Sequence, residues 1–305
     1  MNPILKFLYD DGRRRNADPN PDGREKERRR QRNLPIPEDI ISDPDVSYRT
    51  EKGGTLQCNV LMPGTHGEHG EDKLPVIVMI HGGGLLFGDR RGNLPFRIRM
   101  AELGYLVYCI EYRLLYETDF FGALADVNHG LQFVRDSLDQ YNGDPERITV
   151  IGESAGGLLA LYSAAMCGSG KIREQMGVFC PDINIRSLIL SSGMLYTTRM
   201  DYIAAVYKRD LYGKRTKDKE FMKYMNPENP KVIDSLPRVC LVSGYGDFLR
   251  SMTLRYAKAL DKAHHPNLLL DYDNKKKLPH AFATLMPMLA ESRDAIDRMD
   301  TWMKE

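Results

Sequence analysis

No stretch of the 305-residue chain approaches the ~20 consecutive apolar residues that a membrane-spanning helix requires. Charge of one sign is also missing, because 43 basic residues stand against 42 acidic ones. That balance excludes a nucleic-acid or membrane partner drawn in by net charge. Cysteine is sparse and odd in number: Cys58, Cys109, Cys167, Cys180 and Cys240. Three of the five lie in or beside apolar runs, so they read as buried free thiols of a reducing compartment. Neither an internal repeat nor a low-complexity tract is present. Residues Met1 to Asp10 begin apolar, meet acidic residues at once and carry no cleavage-like signal, so the expectation is a cytoplasmic protein. What the chain does have is material for a core. Hydrophobic residues make up 42% of it, enough for one large α/β domain or two modest ones.

Residues 11–45 are the polar extreme, with Arg13, Arg14 and Arg15 and then the mixed-sign run Arg24 to Arg30. Alternating charge of this kind reads as a solvated helix face. From Val46 the pattern changes. Val46–Thr50 and Thr55–Met62 read as a strand pair joined by the turn Glu51–Gly54. Beyond a polar loop, strands are expected at 75–80, 105–111, 148–152, 187–192, 238–243 and 267–272. Helical patterns fit 94–103, 122–140, 155–166, 250–263 and 282–303. Alternation of this type gives a mainly parallel central sheet flanked by helices. Met194 to Pro237 breaks the rhythm. It is too long for an ordinary connection and holds at least two short helical stretches, which suits a lid over the strand C-termini.

Two glycine-rich stretches follow buried-strand patterns: His81-Gly82-Gly83-Gly84 and Gly152-Glu153-Ser154-Ala155-Gly156-Gly157. The second is a G-x-S-x-G elbow, a tight strand-to-helix turn that lifts a serine hydroxyl clear of the sheet. The first is a turn suited to presenting backbone N–H groups to a developing oxyanion. A serine needs a histidine base, and the histidine needs an orienting carboxylate. Among seven histidines, His280 sits just beyond the last strand pattern and before the last helix. His66, His69, His129, His264 and His265 have no such placement. Asp247 closes the strand before the histidine's strand, whereas Asp271 and Asp273 lie too near His280 along the chain for a separate loop. The expected catalytic set is therefore Ser154, Asp247 and His280, with oxyanion donors on Gly83, Gly84 and Ala155. No cofactor or metal is expected. His66, Glu68 and His69 lack a fourth partner, and their loop reads as a solvated turn. Glu153 either tunes the site electrostatically or forms a local salt bridge, with Arg113 the candidate partner.

These residues resemble the hormone-sensitive-lipase-like branch of the α/β-hydrolase superfamily from about Val46 to the C-terminus. His81 to Asp89 is similar to H-G-G-G-x-x-x-G-D, Glu111 to Leu114 to D-Y-R-L, and Gly152 to Gly157 to G-D-S-A-G-G. Asp247 to Leu249 resembles D-P-L, and His280 to Phe282 resembles H-G-F. The departures are Glu111 for aspartate, Tyr116 for a proline and Ala281 for a glycine. The resemblance implies an α/β-hydrolase fold in residues 46–305, with a helical cap built from residues 1–45 and an insertion at about 194–237.

The expected activity is hydrolysis of small, short-acyl carboxylic esters, with deacetylation of acetylated sugars or metabolites sharing the same chemistry. The partner is then a small-molecule ester, with no nucleic acid or membrane; a homodimer is common among relatives, although no stretch marks an interface. A highly charged cap argues against an oil-surface lipase. The alternative is a catalytically silent small-ligand binding protein on the same fold. Retention of Ser154, Asp247 and His280 argues against it.

Overall fold

The computed structural model describes residues 2–18, 23–50, 54–64, 72–198, 202–273 and 277–305. Two helices come first, α1 (Pro3–Ala17) and α2 (Gly23–Arg32), then the strand pair β1 (Ile40–Arg49) and β2 (Thr55–Pro63). The alternating part follows as β3 (Leu74–Ile80), α3 (Leu94–Glu102), β4 (Leu106–Ile110), α4 (Phe120–Ser137), β5 (Gly143–Glu153), α5 (Ala155–Gly168), α6 (Gly170–Met176) and β6 (Ser187–Ser191). After β6 the chain forms α7 (Tyr202–Tyr212), a 3-10 turn (Gly213–Lys217), α8 (Lys219–Tyr224) and α9 (Pro230–Ile233). It ends with β7 (Arg238–Gly244), α10 (Arg250–Lys262), β8 (Asn267–Tyr272), α11 (Phe282–Leu285) and α12 (Ala290–Lys304). Among the described residues no helix is long and apolar enough to cross a membrane.

All eight strands form one sheet in the order β1-β2-β4-β3-β5-β6-β7-β8. The β1–β2 and β2–β4 pairs are antiparallel, and every later pair is parallel. The parallel strands are apolar on both faces because helices cover both. In β3, Val76, Val78 and Ile80 face the layer containing α4 and α5, while Ile77 and Met79 face α3 and α12. β3 and β5 lie side by side near the middle of the sheet, which brings the two glycine-rich turns at their C-terminal ends together.

Three expectations are corrected. The first strand starts at Ile40, so residues 40–45 belong to the sheet and not to the N-terminal segment. Pro44 and Asp45 (φ 61°) sit in a register shift between Asp43 and Val46, and that bulge interrupts the alternation. A short helix, α6, fills the connection before β6. The last helical pattern is two helices, α11 and α12, because Pro287 lies between them and cannot continue a helix. Most of the turn at Glu51–Gly54 lies outside the described residues.

The 194–237 insertion is held to the helices below it by aromatic packing. The Tyr212 ring meets Phe120 of α4 edge-on at 5.3 Å, and Phe221 lies 5.5 Å from Phe121 of the same helix. The Tyr162 hydroxyl donates to the Tyr224 carbonyl at 2.9 Å. α1 rests on α7. Leu5 is fully buried, and the Asn2 N–H donates to Asp210 at 2.7 Å. Tyr116 packs edge-on against Tyr9 of α1 at 4.8 Å.

Candidate active site

The chain turns from β5 into α5 at Ser154, whose φ of 51° and ψ of −116° lie in a region that side-chain-bearing residues seldom occupy. The surroundings fix that conformation. The Ser154 N–H donates to the Ser191 carbonyl at 2.9 Å, and the Ser154 carbonyl accepts from Met194 at 2.8 Å and Gly157 at 3.0 Å. A Cβ on Gly156 would sit 2.2 Å from the Ile80 carbonyl oxygen, so only glycine lets α5 start this close to β3.

His280 Nε2 lies 2.9 Å from Ser154 Oγ, and His280 Nδ1 lies 2.7 Å from Asp247 Oδ1. Asp247 is buried and further held by the Ser243 hydroxyl at 2.8 Å and the Leu249 N–H at 2.9 Å. Burial alone pushes its carboxyl up. The hydrogen bond and charge of His280, with donors from Ser192 and Leu249, outweigh that and hold it below the ordinary 3.8. An ionised Asp247 keeps the proton on Nδ1, which leaves Nε2 to accept from the Ser154 hydroxyl. Ala281, a glycine in the family pattern, takes a left-handed φ of 55°, and its N–H donates to Ser192 Oγ at 2.9 Å. The Phe248 ring lies 4.4 Å from the His280 ring.

The competing groups are engaged elsewhere. Arg250 binds Asp271 at 2.6 and 2.8 Å and Asp273 at 3.2 Å. His129 stacks on Phe179 at 4.4 Å, and His265 Nε2 meets the Pro237 carbonyl at 2.9 Å. His66, Glu68 and His69 lie outside the described residues; among the described ones no group of three metal-ligating side chains converges.

The glycine-rich turn packs directly on the serine: a Cβ on Gly82 would lie 3.1 Å from Ser154 Cβ. Gly83 and Gly84 have φ of 113° and 63°. A Cβ on Gly84 would meet the Tyr207 hydroxyl of α7 at 2.7 Å. His81 is the structural base of this turn. It stacks on Tyr112 at 4.2 Å, its Nδ1 donates to the Gly82 carbonyl at 2.8 Å, and its own carbonyl accepts from Tyr112 at 2.8 Å. Burial pushes the His81 imidazole down to about 4, so it is neutral in the fold. The unfolded chain takes up that proton near 6.5, so the associated stability is complete above about pH 6.5 and is lost as pH falls toward 4. Denaturant midpoints for wild type should therefore decline over that interval, and His81→Gln should decline less steeply. Equal slopes would show that His81 does not carry the effect.

Glu153 does not pair with Arg113, whose guanidinium is taken by Asp126 at 2.8 Å. Instead, Glu153 Oε2 accepts from Asn93 Nδ2 at 2.5 Å and from the Thr284 hydroxyl. One buried carboxylate thus joins the elbow, the start of α3 and the helix after His280. Asn93 and Thr284 carry no sequence motif. The only available signal was an asparagine at a helix start, where it adopts a left-handed φ of 55°. Glu111, one of the departures from the resembling pattern, is paired with Arg90.

A cavity of about 460 Å³ opens onto Ser154 and His280. Ile4 and Leu8 of α1, Ile203, Val206 and Tyr207 of α7, and Phe87, Met194 and Phe248 give it mainly apolar walls. Gln31, Arg32, Asp89 and Asn93 form a polar corner. Arg32 of α2 meets Asp89 at 3.4 Å there.

A mostly parallel sheet with a serine elbow, a histidine and an aspartate at successive strand ends defines an α/β hydrolase of the hormone-sensitive-lipase-like type. The chain belongs to the BD-FAE family, whose model matches residues 65–252, more than half of the sequence. It is similar to a probable isoprenylcysteine alpha-carbonyl methylesterase of Oryza sativa subsp. japonica, with 26% identity over 233 residues, covering 73% of this chain and 55% of that protein. It is also similar to the para-nitrobenzyl esterase of Bacillus subtilis (strain 168), with 32% identity over 144 residues, covering 43% of this chain and 29% of that one. The chain therefore spans about half or less of these curated relatives. Among solved structures, esterase B of Lactobacillus rhamnosis (HN001) superposes with a TM-score of 0.82 at 22% identity, covering 99% of this chain and 94% of that one.

Proposed function

We propose that this protein is a serine carboxylesterase acting on small, short-acyl esters through an acyl-enzyme intermediate. The observation that carries the reading is the continuous contact from Asp247 through His280 to Ser154 Oγ, at 2.7 and 2.9 Å. Ser154 Oγ attacks the ester carbonyl as its proton passes to His280 Nε2. Asp247 stabilises the imidazolium, and the N–H groups of Gly83, Gly84 and Ala155 receive the oxyanion. His280 then protonates the leaving alcohol, and water, activated by the same nitrogen, releases the acid. The N-terminal segment and the 194–237 insertion together act as the cap, a reading supported by the cavity residues that α1, α2 and α7 supply. The names of the relatives support ester hydrolysis, and five free thiols support a cytoplasmic location.

The test is hydrolysis of para-nitrophenyl acetate, butyrate and octanoate. Acetate and butyrate should turn over readily, with kcat/KM falling about tenfold or more at octanoate as the longer chain outgrows the site. A folded wild type inactive on all three would favour the ligand-binding alternative. Deacetylation of hydroxylated alcohols draws separate support from the polar corner at Gln31, Arg32, Asp89 and Asn93. It calls for acetylated sugars as a parallel substrate series.

Phe248 stands where the resembling pattern has proline, and its half-exposed ring lies against His280. Because His280 protonates the leaving oxygen, this ring borders the alcohol side of the ester. Phe248→Ala should lower kcat/KM for phenyl acetate by about five- to tenfold, the worth of one aromatic pair, with little change for ethyl acetate. Equal losses on both esters would assign Phe248 to support of the imidazole instead.

A further inference from the structure

Cys167 lies in the last turn of α5, and Cys180 lies in the segment that joins α6 to β6. Their thiols converge on one carbonyl: Cys167 Sγ is 4.0 Å and Cys180 Sγ 3.8 Å from the Pro181 oxygen. Both are partly exposed, unlike Cys58, Cys109 and Cys240, which are buried in the sheet. Arg173 of α6 faces the pair. Its guanidinium donates to the Met166 carbonyl at 3.4 Å, one residue before Cys167.

We propose that Cys180 and Cys167 form a thiol–disulfide exchange site, with Cys180 the attacking thiol and Cys167 the resolving one, that takes small organic disulfides. A partly exposed cysteine beside a cation and a second thiol is the environment in which such reactivity arises. The proton held by Cys167 and the Arg173 charge together lower the Cys180 thiol to about 7 despite its partial burial. The contact with Cys180, burial and nearby Asp182 push Cys167 upward, against the pull of Arg173. Cys180 lies in the irregular approach to β6, where an incoming disulfide can reach its partly exposed sulfur, and Cys167 is held in the last turn of α5, which assigns the roles. The three buried thiols are pushed up to about 11 or 12 by burial and stay inert.

The Cys180 thiolate attacks one sulfur of R–S–S–R. A Cys180–S–S–R bond forms, the R–S–S–R bond breaks, and the departing thiolate takes up a proton. Cys167 then gives up its proton and attacks the Cys180 sulfur, expelling the second thiolate. Two cysteines are oxidised and one disulfide is reduced to two thiols, with no other reactant needed. The product ties the end of the elbow helix α5 to the approach to β6, closing a loop around α6.

The experiment incubates the full chain with oxidised glutathione and follows intact mass and peptide maps. Wild type should lose two hydrogen atoms into a Cys167–Cys180 linked peptide and retain no glutathione. Cys167→Ser should stop with one glutathione on Cys180, and Cys180→Ser should form neither product. Arg173→Gln should slow the first step several-fold. A wild type that keeps glutathione on Cys180, a Cys180→Ser variant that reacts as fast as wild type, or a wild type that does not react at all would each overturn the proposal. Esterase activity is not part of the readout, so the outcome is independent of the function proposed above.

Discussion

Ser154→Ala should lower kcat for para-nitrophenyl butyrate by about four to six orders of magnitude, while leaving KM and thermal unfolding close to wild type. The asymmetry follows from where the hydroxyl sits. Ser154 Oγ reaches the solvent cavity and His280, whereas the strained backbone beneath it is held by Ser191, Met194 and Gly157 through main-chain groups that alanine retains. His280→Ala should cost a comparable amount, and the double variant little more, because the two residues act as one unit. Asp247→Asn should lose about four orders of magnitude through the wrong imidazole tautomer. Kinetics of the four variants against circular dichroism melts would check the set. A Ser154→Ala variant with more than a hundredth of the wild-type rate would contradict it.

Gly83→Ala should abolish most activity by a different route. Gly83 has a φ of 113°, and a Cβ there would fall 1.9 Å from the Phe87 carbonyl oxygen, so the turn has to open. Moving one oxyanion donor out of place costs about 10²–10³ in kcat, and an opened turn displaces the neighbouring donor as well. Unlike Ser154→Ala, this change should also lower the melting temperature, because the Leu86 and Phe87 N–H bonds to the Gly83 carbonyl depend on the same turn. Gly104→Ala is the control. Its φ of 95° carries a similar backbone penalty, but a Cβ there meets nothing within 4 Å. It should cost stability of about 1–2 kcal/mol and leave kcat unchanged. Comparable kcat losses in the two variants would remove the oxyanion role from Gly83.

Much of this arrangement could be read from the chain because it is local. The core runs Val76–Ile80 of β3 and Ile148–Ile151 of β5 are apolar but for Thr149, the glycines stand at the strand ends, and the helices carry their stripes. The β8 and β7 ends could be ordered in the same way, which placed His280 and Asp247 on successive loops. What could not be read is long-range. The Glu153 clasp joins residues 60 and 131 positions away, and neither Asn93 nor Thr284 belongs to a pattern. Arg113 was the plausible partner by charge alone, yet Asp126, 13 residues on and buried on α4, claims it with two hydrogen bonds. The start of β1 escapes the strand pattern because its Pro44 bulge mimics a loop. The convergence of Cys167 and Cys180 was equally hidden, since a helix end and an irregular connection bring them together without any spacing rule.

The central claim is that Ser154 becomes covalently acylated. It is tested most directly by incubating the full chain with a para-nitrophenyl alkylphosphonate and locating the adduct by peptide mass mapping. One phosphonyl group per chain on Ser154, with one equivalent of nitrophenol released and no adduct in Ser154→Ala or His280→Ala, is the expected result. An adduct on another residue, or stoichiometric nitrophenol release that survives Ser154→Ala, would contradict the account.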